Sequence, residues 1–166
     1  MALAGLKALA VLSLAAALGG CALLGQPEMD MDFWQPSLSP DGTQMVYVGE
    51  GPESYDLFVL DVEEGSERAL TSTGREELYP SWCPEGEMVA FMAMQEEDNW
   101  DIFTVEVDTG DVFRVTADPG LDVNPSWAAS GEIVFNSDRD GPWAAYAIQP
   151  DGTGLRRLSI DRPQSD

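Results

Sequence analysis

The chain has 166 residues, 44 % of them apolar, which suffices for one domain with a real core. Eight Lys and Arg against 30 Asp and Glu give a formal charge of −22, a balance that repels phosphate backbones and anionic headgroups and argues against nucleic-acid binding. There is no histidine, so neither a Ser-His-Asp nor a Cys-His hydrolytic centre can be assembled from this chain alone.

Residues 1–20 read as a signal peptide. One cation, Lys7, precedes an apolar run from Ala8 to Leu18 that is too short to span a membrane. The run ends in Leu18-Gly19-Gly20-Cys21, which resembles the bacterial lipobox. That resemblance implies cleavage before Cys21 and lipidation of Cys21, and several acyl chains on one residue anchor a protein stably. Residue 22 is Ala rather than Asp, which resembles lipoproteins sorted to the outer membrane. The expectation is a lipid anchor in the bacterial envelope facing the periplasm, with membrane contact through the N-terminal lipid only. Residues 21–30 form a lipidated linker. Cleavage removes Lys7, the only lysine, and leaves seven arginines against 30 acids. Such a surface suits a salty medium, divalent cations or a basic partner, and equally serves solubility alone. Cys83 is left without a disulfide partner and is expected to be buried.

From residue 31 onward the chain repeats. "PSLSPDG" begins at Pro36, "PSWCPEG" at Pro80 and "PSWAASG" at Pro125, at steps of 44 and 45. "YDLFVLDVEEG" at Tyr55 returns as "WDIFTVEVDTG" at Trp100 and as "WAAYAIQPDG" at Trp143. Each copy closes on a short strand signal, "RALT", "RVT" and "RLS", ending at Thr71, Thr116 and Ser159. A period of 40–45 residues is that of four-stranded propeller blades. In each unit a first strand leads to a tight turn. Pro40, Asp41 and Gly42 fit a type I turn; Gly86 and Gly131 keep its glycine. Apolar second strands follow at 45–48, 88–94 and 133–135. An acidic hairpin, a third strand and a glycine-containing turn lead to the fourth. β-Branched and aromatic residues dominate these strands. The chain is therefore expected to be all-β, a partial propeller of three four-stranded antiparallel blades over 31–162 (31–74, 75–119 and 120–162), with a tail at 163–166.

The pattern "PSLSPDG…MVYV…YDLFVLDVEEG…RALT" resembles the WD-like repeats of TolB-type β-propellers, and related blades occur in prolyl-oligopeptidase-type peptidases. The resemblance covers about residues 31–162 and is clearest in the first two units. The third lacks the turn proline and has Ala144 where Asp56 and Asp101 stand. The resemblance implies a propeller, typically six-bladed in TolB, and protein association in the periplasm. TolB also carries a separate N-terminal domain, which is expected to be absent here because only Cys21 to Asp30 precede the first blade. Three blades make only an arc, since closed propellers have four to eight. A homodimer could complete a six-bladed ring by two-fold symmetry, another chain could supply the missing blades, or the chain could be a fragment.

The loops between second and third strands are acidic: Glu50 and Glu53, then Glu96, Glu97 and Asp98, then Asp138 and Asp140. Equivalent loops share one face of a propeller, so these residues are expected to form an acidic rim that could meet a partner or hold Ca²⁺. No loop has EF-hand spacing, and solvated charges in hairpins are common. Asp56 and Asp101 are expected to fix backbone geometry, Trp82 to pack between blades, Trp127 to be its structural counterpart in the third repeat, and Arg139 to pair with its neighbours Asp138 and Asp140. No metal centre, cofactor or activated nucleophile is expected. The expected function is non-catalytic: an envelope lipoprotein that binds protein partners. The alternatives are a non-catalytic propeller piece of a prolyl-oligopeptidase-type peptidase, or a Ca²⁺- or carbohydrate-binding module.

Overall fold

A computed structural model describes residues 34–95 and 99–158. The chain divides into two units, 1–30 and 31–166, and every described residue belongs to the second. The segments expected to be a signal peptide, a linker and a tail lie outside the described residues, as do Cys21, Glu96, Glu97, Asp98 and Ser159.

The described chain is all-β and forms three four-stranded sheets, each an antiparallel meander. Blade 1 holds β1 (Trp34–Leu38), β2 (Gln44–Glu50), β3 (Tyr55–Asp61) and β4 (Glu67–Ala69). Blade 2 holds β5 (Glu77–Trp82), β6 (Met88–Met94), β7 (Trp100–Glu106) and β8 (Val112–Arg114). Blade 3 holds β9 (Asp122–Trp127), β10 (Ile133–Ser137), β11 (Ala144–Ile148) and β12 (Arg156–Arg157). Consecutive strands neighbour one another within each blade, as the repeat required.

The first strands start earlier than the "PS" pairs because each contains a bulge. Register slips between Trp34 and Ser37, between Leu78 and Ser81, and between Val123 and Ser126. Gln35, Tyr79 and Asn124 sit in the bulges with φ of 52°, 56° and 54°. Pro36, Pro80 and Pro125 follow immediately. Proline has no N–H to give a ladder, so a bulge is where a strand tolerates it. The turn that comes next closes in all three copies. Gly42, Gly86 and Gly131 donate N–H to the carbonyls of Ser39, Cys83 and Ala128 at 2.9, 3.1 and 3.0 Å. Asp41 adds a lock by accepting from the hydroxyls of Ser39 and Thr43. The third turn forms without the proline.

The fourth strands are shorter than their sequence signals. Thr71 and Thr116 lie past the ends of β4 and β8, and their hydroxyls accept the N–H of Leu57 and Ile102, each at 2.9 Å. The threonine that resembles a strand residue is thus a side-chain cap on the third strand.

Blades pack face to face. Val46, Val48, Leu57 and Val59 of blade 1 meet Val89, Phe91, Phe103 and Val105 of blade 2. Ala90, Met92 and Ile102 on blade 2's other face meet Ile133, Phe135, Tyr146 and Ile148 of blade 3. This is why β6 is apolar at every position: both its faces are covered. A stacked aromatic pair recurs in each sheet, Tyr47–Phe58, Phe91–Phe103 and Phe135–Tyr146, with ring centroids 5.7, 5.7 and 5.9 Å apart. Trp82 is 7 % exposed and its indole N–H donates to the Ser37 carbonyl of blade 1 at 2.9 Å. Trp127 is half-buried against the second cluster. Leu38, the equivalent residue of blade 1, is 59 % exposed. Cys83 is buried and unpaired. Phe91 is wholly buried, so Phe91→Ala should cost about 3–5 kcal/mol and Leu38→Ala less than about 1 kcal/mol, read by urea unfolding.

Candidate functional site

Charge is concentrated where consecutive blades meet at the starts of their third strands. Asp56 opens β3 and Asp101 opens β7; both are buried. Glu77 and Asp122 open the first strands of the next blades, β5 and β9, and are wholly buried. Within each blade, register lines up these strand ends. Ala93 pairs with Glu77 on one side and Asp101 on the other, and Ser137 pairs with Asp122 and Ala144 in the same way. Across the junctions an acid of one blade comes near an acid of the next: Asp56 lies close enough to Glu77, and Asp122 to Asp101, that burial is joined by its charge in pushing the neighbour's carboxyl up.

The two junctions solve this differently. Between blades 2 and 3 each acid has an arginine. Arg114 Nη2 reaches Asp101 Oδ2 at 2.5 Å, and Arg139 Nη2 contacts both oxygens of Asp122 at 2.7 and 2.6 Å. The Arg139 guanidinium also lies over the Phe135 and Tyr146 rings, 5.4 and 5.2 Å from their centroids. Between blades 1 and 2 the position of Arg114 is taken by Ala69, as the parallel pairings Phe103↔Arg114 and Phe58↔Ala69 show. Glu77 is held by hydroxyls instead: Thr71 donates to one oxygen and Thr73 to the other. Asp56 receives the Ser54 hydroxyl at 3.2 Å. Burial pushes the carboxyls of Glu77 and Asp56 above their ordinary range. Asp101 is also raised by burial, against the pull of Arg114.

Asp56 and Asp101 are thus each one half of an inter-blade pair. Glu77 and Asp122, the other half, were not singled out from the sequence, although they recur at a step of 45 just before the "PS" pair. Arg139 does not pair with its sequence neighbours. Asp138 accepts the Leu121 N–H at 2.8 Å and Asp140 the Tyr146 hydroxyl at 2.6 Å, while the guanidinium turns inward to Asp122. An unpaired buried Asp122 would cost more than leaving two solvated aspartates without a cation.

The acidic rim is scattered among these tasks. Glu50 ends β2, exposed, and Glu53 lies exposed in the following turn. Asp138 is occupied by the Leu121 N–H ahead of β9, and Asp140 by the Tyr146 hydroxyl of its own hairpin. Among the described residues no three carboxylate or thiol groups converge to hold a metal ion. Beside the first junction lies a polar cleft lined by Glu53, Ser54, Arg75, Glu76, Asn99 and Arg114.

Residues 27–165 match the family of the TolB beta propeller domain. The chain belongs to that family. Its fold is close to a TolB-type protein of Agrobacterium tumefaciens (TM-score 0.69, 21 % identity, 76 % of this chain and 46 % of that one). TolB of Acinetobacter baumannii is similar as well (TM-score 0.67, 24 % identity, 78 % and 32 %). So is a puromycin-hydrolysing peptidase of Mycobacterium tuberculosis (TM-score 0.61, 16 % identity, 78 % and 22 %). The chain spans less than half the length of these structures. No curated protein matches it. As a TolB-like propeller segment, the chain departs from a purely apolar blade stack at its buried carboxylates.

Two outcomes follow from the junctions. Arg139→Ala should destabilise by about 3–5 kcal/mol by stranding Asp122, while Arg156→Ala, which breaks a more exposed pair with Glu132, should cost at most about 1 kcal/mol. For Glu77 the folded-state pKa is raised above the ordinary 4.5. Its contribution is complete below that value and is lost as pH rises through the folded pKa. Glu77→Gln should therefore melt higher than the native chain near neutral pH and show a flatter melting temperature from pH 4 to 7. An unchanged pH profile would refute the assignment.

Proposed function

We propose that this TolB-like propeller segment is a non-catalytic, lipid-anchored protein of the bacterial envelope that binds other proteins. The supporting observation is the family itself joined to an open blade side. Val107 of blade 2 is 3 % exposed beneath blade 1, whereas Val62, its equivalent in blade 1, is 46 % exposed. Leu38 is open in the same way. Apolar positions that the repeat ordinarily covers are natural contact points for a partner. The lipobox-like Leu18-Gly19-Gly20-Cys21 supports the anchor, and the acidic surface favours partners with basic faces. A second copy of the chain is one such partner, since two three-bladed arcs make a six-bladed ring.

The second reading is a propeller portion that works beside a peptidase catalytic domain. The likeness to the puromycin-hydrolysing peptidase favours it. The absence of histidine in this chain means that any such catalysis would need a base from elsewhere.

Crosslinking in native envelopes followed by capture of this chain separates the readings. The first expects envelope proteins without hydrolytic domains; recovery of a peptidase domain as the main product would support the second. Cys21→Ala should move the chain from the membrane fraction to the soluble fraction; no change would remove the anchor. Mass measurement in mild detergent should give twice the chain mass if the ring closes, and Leu38→Asp should return it to the single mass.

A further inference from the structure

The outer edges of the three blades are not alike. Each sheet ends in a short edge strand: Glu-Arg-Ala in β4, Val-Phe-Arg in β8 and Arg-Arg in β12. An edge strand leaves backbone groups unpaired, and proteins commonly blunt it with charge. β4 and β12 carry that charge through most of their length, whereas β8 carries it only at Arg114, which is turned to Asp101. β8 presents Val112 and Phe113, 39 % and 50 % exposed.

Beside β8 a groove of about 520 Å³ opens between blades 2 and 3, with Met88, Val112, Phe113 and Pro150 as its apolar lining. The groove has a cause in the repeat. Phe113 occupies the place of Arg68 in blade 1, since Thr104 pairs with Phe113 as Val59 pairs with Arg68. Arg68 Nη2 donates to the Val107 carbonyl of the next blade at 2.5 Å and seals that junction. Phe113 has no donor to do the same, and Pro150 stands where Val107 stood, so the second junction stays open.

The groove is also charged on one side of the balance only. Glu106, Asp111 and Asp151 line it, and among the described residues no lysine or arginine does. The strand beside it has free backbone. Glu106 N–H donates to the Asp111 carbonyl at 3.0 Å and Val115 N–H to the Ile102 carbonyl at 2.8 Å. Antiparallel alternation then turns the N–H and C=O of Val112 and Arg114 outward.

We propose that β8 and this groove form a docking site for an extended segment of a protein partner, one apolar side chain of which is flanked by lysine or arginine. The segment adds a strand to blade 2 along Val112–Arg114. Its apolar side chain fills the groove against Phe113 and Pro150, and its cations face Glu106, Asp111 and Asp151. The site is separate from the open side of blade 1, so it stands or falls independently of ring closure.

The test is fluorescence anisotropy of a labelled peptide, acetyl-TKTVTKT-amide, whose valine and two lysines share one strand face, titrated with the full chain in mild detergent at low salt. The expected result is saturable binding, weakened about tenfold or more by Phe113→Arg, which restores the seal of blade 1, and weakened also by Asp111→Asn. The same peptide with glutamate in place of lysine should bind about tenfold more weakly. Amide exchange at Val112 and Arg114 should slow on saturation. Thermal unfolding checks that Phe113→Arg is folded; if it is not, Asp111→Asn carries the comparison. The proposal is overturned if the lysine peptide does not bind, if both peptides bind equally, or if the folded variants bind like the native chain. Self-association abolished by Phe113→Arg would make a second copy the occupant and overturn it too.

Discussion

Each inner sheet of this fold has to hide two faces, and the carboxylates at the junctions have to be neutralised where they are hidden. These two demands set most of what is seen. Blade 2 meets the first by being apolar throughout β6, with the alternate residues Val89, Phe91 and Ala93 in one cluster and Ala90 and Met92 in the other. The second is met with guanidinium at one junction and with hydroxyls at the other. The difference matters because burial raises the carboxyl of Glu77 with no cation to oppose it, whereas at Asp101 the charge of Arg114 pulls against the same rise. One architecture thus carries two electrostatic solutions 45 residues apart.

Divergence between repeats is more informative here than their agreement. Where blade 1 has Ala69, blade 2 has Arg114, and the junction chemistry changes. Where blade 1 has Arg68, blade 2 has Phe113, and a sealed junction becomes an open one. Where blades 1 and 2 have Asp56 and Asp101, blade 3 has Ala144, beside Ser137. The missing acid in blade 3 looks like decay in the sequence.

Much of this was legible beforehand, and the reasons are local. Proline, glycine and alternating apolar residues have strong positional meaning, so the blades, the strand order and the tight turns at Gly42, Gly86 and Gly131 followed from the repeat. The bulges at Gln35, Tyr79 and Asn124 did not, because nothing in those side chains announces a positive φ. Thr71 and Thr116 resemble strand residues, and only their hydrogen bonds to Leu57 and Ile102 reveal them as caps. Arg139 misled for a related reason: two adjacent aspartates are nearer in sequence, but the buried one seventeen residues away has the greater need of a cation.

The amino-acid sequence by itself determined the all-β class, the three-fold repeat, the strand order within each blade and the acidic surface. Those properties depend on periodicity and composition, which are written along the chain. Tertiary structure alone decided which acids meet, which arginine answers them and which blade edge stays open. Those outcomes depend on contacts between residues of different repeats, and a side chain's partner there is chosen by burial and register rather than by nearness in sequence.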